Sequence, residues 1–253
     1  MHLADSILNE NLIYSSPKIF ERRRRILSTT RELIAQHGYD GFSIRELCNQ
    51  AKVAPQTIYK AFESKERLVS LSIRHHFSSF VESQHFHYDK RTLQGVIEHL
   101  IVSDNHMHDS RKFVMAVVAI YFSQTADQDL LVAARTNILV TLLPWAIELR
   151  ERGHLRVGMG VESFVHAVVG LLFTVSLDWC RGDISNDEFI YKKLEALLSY
   201  ASGVTRGAGR REIDLYLTDL LGRRRLFEEI KAVADQPRET RPQPAQPHQP
   251  HQA

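Results

Sequence analysis

Nine residues, APQTIYKAF from Ala54 to Phe62, set Gln56, Thr57, Tyr59 and Lys60 beside an apolar pair, Ile58 and Phe62, at i and i+4. Gln and Lys side chains can pair with base edges in the major groove of a duplex, and Thr can touch a thymine methyl or a phosphate. The same four side chains could equally be the solvated face of a short helix over a small satellite core, and the pattern alone leaves both readings open. A basic run, Arg22 to Arg25, strengthens the first of them. It falls in the first turn of a helix predicted from Phe20, where the macrodipole favours acidic groups. Four arginines there are out of place unless phosphates face them, or unless Glu21 and solvent absorb the charge. Lys65, at the start of a further predicted helix, poses the same mismatch.

Such side chains need a scaffold. Apolar residues recur at helical spacing through almost the whole chain, and strand-like alternation is scarce, so the expected fold is all-α. A first helix is predicted from Phe20 to Gln36 with Ile26, Leu33 and Ile34 inward, ending at His37-Gly38. Ser43 followed by Glu46 is a capping box that starts a second helix at Ile44. Pro55 suits the first turn of a third, Pro55 to about Ala61, and Ser64 is the N-cap of a fourth. Helices of about eight residues are marginal alone, because nucleation outweighs so few backbone bonds. Ile26, Ile34, Phe42, Ile44, Leu47, Val53, Ile58 and Phe62 can hold them as one three-helix core. Two short helices joined by a tight turn, the second polar on its outer face, make a helix-turn-helix.

The charge distribution agrees with that placement. The 253 residues carry a formal net charge of only +2. Yet Lys18 to Arg74 holds twelve Lys and Arg against six Asp and Glu, while Phe77 to Thr205 holds eleven against fifteen. Cys48 and Cys180 show neither metal-ligand nor redox spacing and read as reduced thiols of a cytoplasmic protein. The N-terminal residues lack the pattern of a secretion signal. The longest apolar run, Phe164 to Cys180, contains His166 and Asp178 and reads as a buried helix rather than a membrane span.

Arg24 to Val69, RRILSTTRELIAQHGYDGFSIRELCNQAKVAPQTIYKAFESKERLV, resembles the DNA-binding domain of the tetracycline-repressor (TetR) family of bacterial transcription regulators over nearly its full length. The shared features are Gly38-Tyr39, the hydroxyl of Ser43, Ala51 with Val53 in the turn, Thr57-Ile58-Tyr59, Phe62, and Ser64-Lys65-Glu66. The resemblance implies a three-helix N-terminal domain, a divergent helical C-terminal domain that binds a small molecule, and a homodimer formed largely by the last two helices of that domain. It makes Ala54 to Ala61 the recognition helix, Tyr59 and Lys65 phosphate contacts, and Ser43 the cap beside the DNA backbone. Lys52 departs from the glycine common in the turn, Ala54 from the usual Ser/Thr cap, and Ala61 from a frequent histidine. The expected DNA-binding residues are Arg22, Arg23, Arg24, Ser43, Ala54, Pro55, Gln56, Thr57, Tyr59, Lys60 and Lys65.

The expected organisation is an N-terminal arm (1–19), a DNA-binding domain (20–80, with the helix-turn-helix at 43–62), a ligand-binding and dimerisation domain (81–204), an extra C-terminal helix (205–235) and a disordered Pro- and Gln-rich tail (236–253). Helices are predicted over Phe113 to Phe122, over Thr136 to Leu155 with a kink or split at Pro144, and over Val161 to Arg181. Ser185 with Glu188 starts another, and a last one spans Glu212 to Ala234 with an interruption at Gly222. Aromatic residues Phe113, Phe122, Trp145, Phe173 and Trp179 are candidates for an apolar ligand pocket or plain core. Phe164, Val168, Leu171, Leu172, Ile190, Leu194, Leu197 and Leu198 are candidates for the dimer interface, where a two-fold four-helix bundle would bury them. His75, His76, His85, His87, His99, His106 and His108 crowd one stretch, but the His-x-His spacings at 85/87 and 106/108 do not set two imidazoles on one helical face, so no metal site is expected. No catalytic motif stands out, and neither a cofactor nor an enzymatic activity is expected. The sequence thus points to a homodimeric regulator of duplex operator DNA with an unidentified small-molecule effector. The alternative is a helical ligand- or metal-sensing protein that does not read DNA.

Overall fold

The computed structural model describes residues 17–236. Most of the expected N-terminal arm and nearly all of the expected tail lie outside them. Among the described residues every regular element is a helix. Four build the N-terminal unit: α1 (Pro17–Gly41), α2 (Ile44–Ala51), α3 (Pro55–Phe62) and α4 (Lys65–Ser83).

Helix α1 buries Ile26, Leu27, Thr30, Leu33 and Ile34, a stripe at i, i+1, i+4, i+7 and i+8. Its regular backbone breaks at Gly38, where φ is 70° and ψ 178°. That conformation is costly for any residue with a Cβ, so the sequence has glycine where the helix must turn. Ser43 caps α2 by accepting from the Glu46 amide at 3.4 Å. The reciprocal half of the expected capping box is not made; the Glu46 carboxylate faces His37 Nε2 at 3.5 Å. Ser64 caps α4, accepting from the Arg67 amide at 3.0 Å. Phe42, Leu47, Ile58 and Phe62 are all buried, each contributing about 2 kcal/mol by removal from water. This is the packing that holds two eight-residue helices in place.

The C-terminal unit comprises α5 (Leu93–Asp109), α6 (Arg111–Phe122), α7 (Gln128–Glu151), α8 (Val161–Arg181) and α9 (Asn186–Val204), followed by α10 (Gly207–Leu221) and α11 (Arg225–Ala234). Helix α4 runs on from the N-terminal unit to pack along α7, while α1 packs against α6. Helix α7 continues through Pro144 as one element rather than splitting there. The capping box at Ser185 and Glu188 forms in full. The final segment expected from Glu212, interrupted at Gly222, is two helices, the first of them starting earlier, at Gly207. Gly222 and Arg224 (φ 57°) turn the chain between them, and Asp219 receives the first amides of α11 from Arg225 and Leu226 at 3.1 and 2.8 Å.

Helix α10 lies against α9, and α11 against α5 and α10. The chain therefore covers one side of α9 with its own C-terminal helices. Inside the unit, Lys193 Nζ is buried 3.2 Å from Asp104 Oδ1 and 3.8 Å from the Phe189 ring centroid. Burial pushes the Lys193 ammonium down and the Asp104 carboxyl up, and the attraction between them opposes both shifts. Glu98, fully buried, accepts from the amides of His87 and Tyr88 and from His87 Nδ1, each at 2.9 Å. That satisfies a carboxylate that would otherwise be costly to bury.

Candidate nucleic-acid interface

Helix α3 is divided cleanly by its two faces. Ile58 and Phe62 point into the N-terminal core at 1% exposure each, while Tyr59 is 52% exposed. Ala54, Pro55, Gln56 and Lys60 are exposed as well, and Thr57 is half-buried. Gln56, Thr57, Tyr59 and Lys60 lie on or beside the face turned away from that core. Ala54 is the N-cap and has no side-chain oxygen to receive an amide, so the first turn of α3 lacks a side-chain cap.

The turn before α3 has a specific backbone. Lys52 takes the left-handed conformation, φ 52° and ψ 53°, and its amide caps α2 on the Cys48 carbonyl. This explains why glycine is common at that position: the geometry favours a residue without a Cβ. Here lysine adopts it anyway.

The arginine run is placed differently from expectation. Because α1 starts at Pro17, Arg22 to Arg25 fall in its second and third turns, past the reach of the macrodipole at its N-terminus. The charge mismatch expected there does not arise. Arg22, Arg24 and Arg25 are exposed on α1. Arg23, expected among the DNA contacts, is 4% exposed and turned inward. Its Nη1 donates to the Ala61 carbonyl at 2.9 Å and its guanidinium lies 4.6 Å from the Phe62 ring centroid. Arg23 therefore ties α1 to the C-terminal end of α3.

Lys65 is half-buried at the start of α4, with Nζ 4.7 Å from the Tyr39 ring centroid and 5.5 Å from that of Phe42. Tyr39 donates to Glu66 Oε1 at 3.0 Å. Burial and the neighbouring Glu66 carboxylate push its phenol up to about 12. Two aromatic faces thus hold the lysine, an attraction between a cation and ring quadrupoles. Ser43 is half-buried and occupied as the α2 cap.

The other predicted sites fare unevenly. Trp145, Phe173 and Trp179 are core, and Trp179 stacks on Phe189 at 4.4 Å while Phe173 stacks on Tyr121 at 3.9 Å. Phe122 is 45% exposed. Phe113 is buried and lines a cleft between α1, α4, α5 and α6. The five aromatic residues do not form one pocket.

Of the predicted interface residues, Phe164, Val168, Leu172, Leu194, Leu197 and Leu198 are buried within the single subunit at 1% exposure or less. Their apolar faces are covered by α7 and α10 and by each other, so they are unavailable to a partner. Leu171, at 37%, and the half-buried Ile190 reach the surface. The apolar surface that sequence reasoning missed lies on α7: Val140, Leu143 and Ile147 are exposed at 51%, 41% and 39%. A groove of about 530 Å³ joins it to α8 and is lined by Leu139, Leu143, Val165, His166 and Val169. Helix α7 is apolar on most sides, so its sequence alone did not mark which stripe faces out.

Among the described residues, no group of three His, Cys, Asp or Glu side chains is placed to hold a metal ion. The crowded histidines contact one another and aromatic rings instead. His76 Nε2 lies 3.2 Å from His106 Nε2, and His106 stacks on Phe80 at 3.9 Å. Helices α7 and α8 are long and apolar enough to cross a bilayer by length and composition. Each is instead packed into the helical unit along one side.

Two short helices joined by a tight left-handed turn, seated in a three-helix core and followed by a larger all-helical unit, define a helix-turn-helix regulator fold. Residues 26–70 match the model of the family described as "Bacterial regulatory proteins, tetR family". Residues 26–70 thus carry a DNA-binding domain of the TetR type. The HTH-type transcriptional regulator UidR of Escherichia coli K12 is 35% identical over 51 residues, 20% of this chain and 26% of that protein. The HTH-type transcriptional repressor KstR of Mycobacterium tuberculosis is 36% identical over 58 residues, 23% of this chain and 26% of that protein. The matched stretch thus spans about a quarter of the curated relatives. Among solved structures, full-length TylP, a TetR regulator from Streptomyces fradiae, superposes with a TM-score of 0.57 at 16% identity, covering 85% of this chain and 98% of that one. SmeT, the repressor of a multidrug efflux pump of Stenotrophomonas maltophilia, does so with a TM-score of 0.53 at 13% identity, covering 74% and 92%. The fold is shared well beyond the matched domain.

Proposed function

We propose that this protein is a cytoplasmic transcription regulator, a repressor that binds a palindromic operator in duplex DNA as a homodimer and releases it when a small molecule enters the C-terminal unit. The observation that carries this reading is α3: a rigidly seated helix whose outer side carries Gln56, Thr57, Tyr59 and Lys60, within a unit rich in Lys and Arg. In a major groove, Gln56 and Lys60 read base edges, while Tyr59, Lys65, Arg22 and Arg24 hold phosphates. Thr57, Ala54, Pro55 and Ser43 line the approach of the backbone. Arg23 supports this surface from behind.

Two copies joined through α7 and α8 would present two such helices. A palindrome read across one turn of duplex requires them about 34 to 36 Å apart. The occupant of the exposed α7 stripe in this reading is the same stripe of a second copy, around Leu143 and Ile147, together with Leu171 of α8. Ligand release follows when a small molecule prefers a geometry in which the two helices no longer match successive grooves.

Binding to duplexes that carry inverted repeats, measured across a range of salt, tests the proposal. Affinity should fall steeply as salt rises. Gln56→Ala should change which sequence is preferred, whereas Lys65→Ala should weaken all duplexes alike. Unchanged selectivity in the Gln56 variant contradicts the assigned role. Absence of salt-dependent duplex binding removes the whole reading and favours a sensing protein that does not touch DNA.

A further inference from the structure

Beneath the N-terminal unit, α1, α4, α5 and α6 line an open cleft of about 550 Å³. Its size suits a small organic molecule. Arg31 comes from α1, His76 from α4, His106 from α5, and Arg111, Lys112 and Phe113 from α6. Glu32 and Asp109 also line it, leaving three permanent cations against two carboxylates.

The polar groups are ordered. Arg31 Nη1 lies 3.4 Å from His76 Nδ1, so that nitrogen accepts, since guanidinium only donates. His76 then carries its proton on Nε2 and donates it to His106 Nε2 at 3.2 Å. The remaining proton of a neutral His106 sits on Nδ1. Burial holds both imidazoles neutral, with His76 pulled down to about 3. Phe113 meets the edge of His76 at 5.0 Å between centroids and supplies an apolar floor.

The α6 end of the cleft is electrostatically incomplete. Its first turn holds Arg111 and Lys112 and no acidic residue, at the end of the helix where the dipole is already positive. Ser110, the N-cap, gives α6 no side-chain hydrogen bond; its hydroxyl donates back to the His106 carbonyl at 3.0 Å. Arg111 is anchored on the Trp179 carbonyl, and Lys112 is exposed with no side-chain partner among the described residues. A negative charge in the cleft would answer both Lys112 and the uncapped start of α6.

We propose that this cleft is an effector site for a small organic anion, an aromatic or short aliphatic carboxylate, held by Arg31 and Lys112 with its apolar part over Phe113. The inference rests on the regulator reading and adds the ligand class and the route of coupling. That route is short. Helix α1 forms one wall of the cleft through Arg31, Glu32, Ala35 and Gln36, and the same helix carries Arg23, which holds the end of α3. A carboxylate that draws Arg31 toward α6 displaces α1 relative to the C-terminal unit, and α3 moves with it.

Calorimetric titration of the full chain with benzoate and naphthoate, each against its neutral amide, tests the site. The expected result is saturable binding of the carboxylates with one site per chain, at least tenfold tighter than the amides. Lys112→Glu should raise the carboxylate Kd tenfold or more. Because Lys112 is exposed, this variant is expected to fold. Arg31→Gln should do the same, with its thermal unfolding measured alongside. Failure of both carboxylates to bind, or binding unaffected by both substitutions, overturns the site. The titration needs no DNA, so its outcome is separate from that of the regulator reading. In the presence of duplex, the carboxylate should lower DNA affinity of the wild type at least fivefold and leave Lys112→Glu unchanged; anion binding without that effect overturns the coupling.

Discussion

Arg23 Nη1 donates to the Ala61 carbonyl at 2.9 Å, and the guanidinium rests over the Phe62 ring. One arginine of a four-residue basic run thus joins the first helix to the end of α3, while Arg22, Arg24 and Arg25 on the same run face solvent. A charged donor on a partly buried carbonyl contributes about 2 kcal/mol, and the ring contact adds about 1 kcal/mol. Arg23→Ala should therefore destabilise the N-terminal unit by about 2 to 3 kcal/mol in urea denaturation. The salt slope of duplex binding should stay as in the wild type. Arg22→Ala and Arg24→Ala should show the opposite: ordinary stability and a slope reduced by about one each. A reduced slope with full stability in the Arg23 variant would reverse the assignment.

Lys52 sits in the turn of the helix-turn-helix with φ 52°. A left-handed backbone costs a residue with a Cβ roughly 1 kcal/mol that glycine does not incur. Lys52→Gly should raise the unfolding free energy by about 1 kcal/mol, read as a higher urea midpoint at unchanged m-value. A lower midpoint would mean that the lysine side chain makes a stabilising contact that outweighs the strain.

Leu143 and Leu171 are exposed at 41% and 37%. Placing a charge on either should leave the fold intact, within about 0.5 kcal/mol, and convert a dimer into a monomer. Sedimentation of Leu143→Glu and Leu171→Glu at micromolar concentration checks this, and duplex affinity should fall with dimerisation. A wild type that is already monomeric, or variants that remain dimeric, would move the interface away from α7 and α8.

His76 is buried and His99 half-buried, and desolvation holds both neutral, pulling them down to about 3 and about 4. An unfolded chain binds protons at these sites near pH 6.5, and the folded chain does so only far lower. Stability is therefore full above about pH 6.5 and lost as pH falls below it, by up to about 1.4 kcal/mol per pH unit for each histidine. The loss continues toward the depressed folded values. Urea midpoints measured between about pH 7 and 5, above most of the carboxylate range, should decline, and His99→Gln should flatten the decline. A midpoint that rises on acidification would show that the imidazoles gain a partner for the charged form.

Local chemistry made the N-terminal half legible. Gly38, Ser43, Pro55 and Ser64 act within a turn or two of their own position, so their types alone mark where helices break or begin. Ile58 and Phe62 at i and i+4 fix the inner face of α3 for the same reason, and with it the outward side of Gln56, Thr57, Tyr59 and Lys60. The start of α1 was less readable. Pro17 lengthens the helix by one turn, and this moved the arginine run away from the dipole.

Arrangement in three dimensions decided the rest. Leu194, Leu197 and Phe164 have the spacing of an interface and also of a core, because burial rewards apolar area without regard to which chain covers it. Helices α10 and α11, folded back onto α9 and α5, settled that choice and left the α7 stripe outside. Arg31, His76 and Arg111 are far apart in the chain, so the cleft they share exists only once α1 is laid against α6. The sequence by itself determined the short helices of the N-terminal unit, the Ser N-caps of that unit and the outward face of α3, since those depend on neighbours a few residues away. Only tertiary packing decided that Arg23 faces inward, which apolar stripe stays uncovered and where charges from four helices meet, since those depend on contacts that no local pattern encodes.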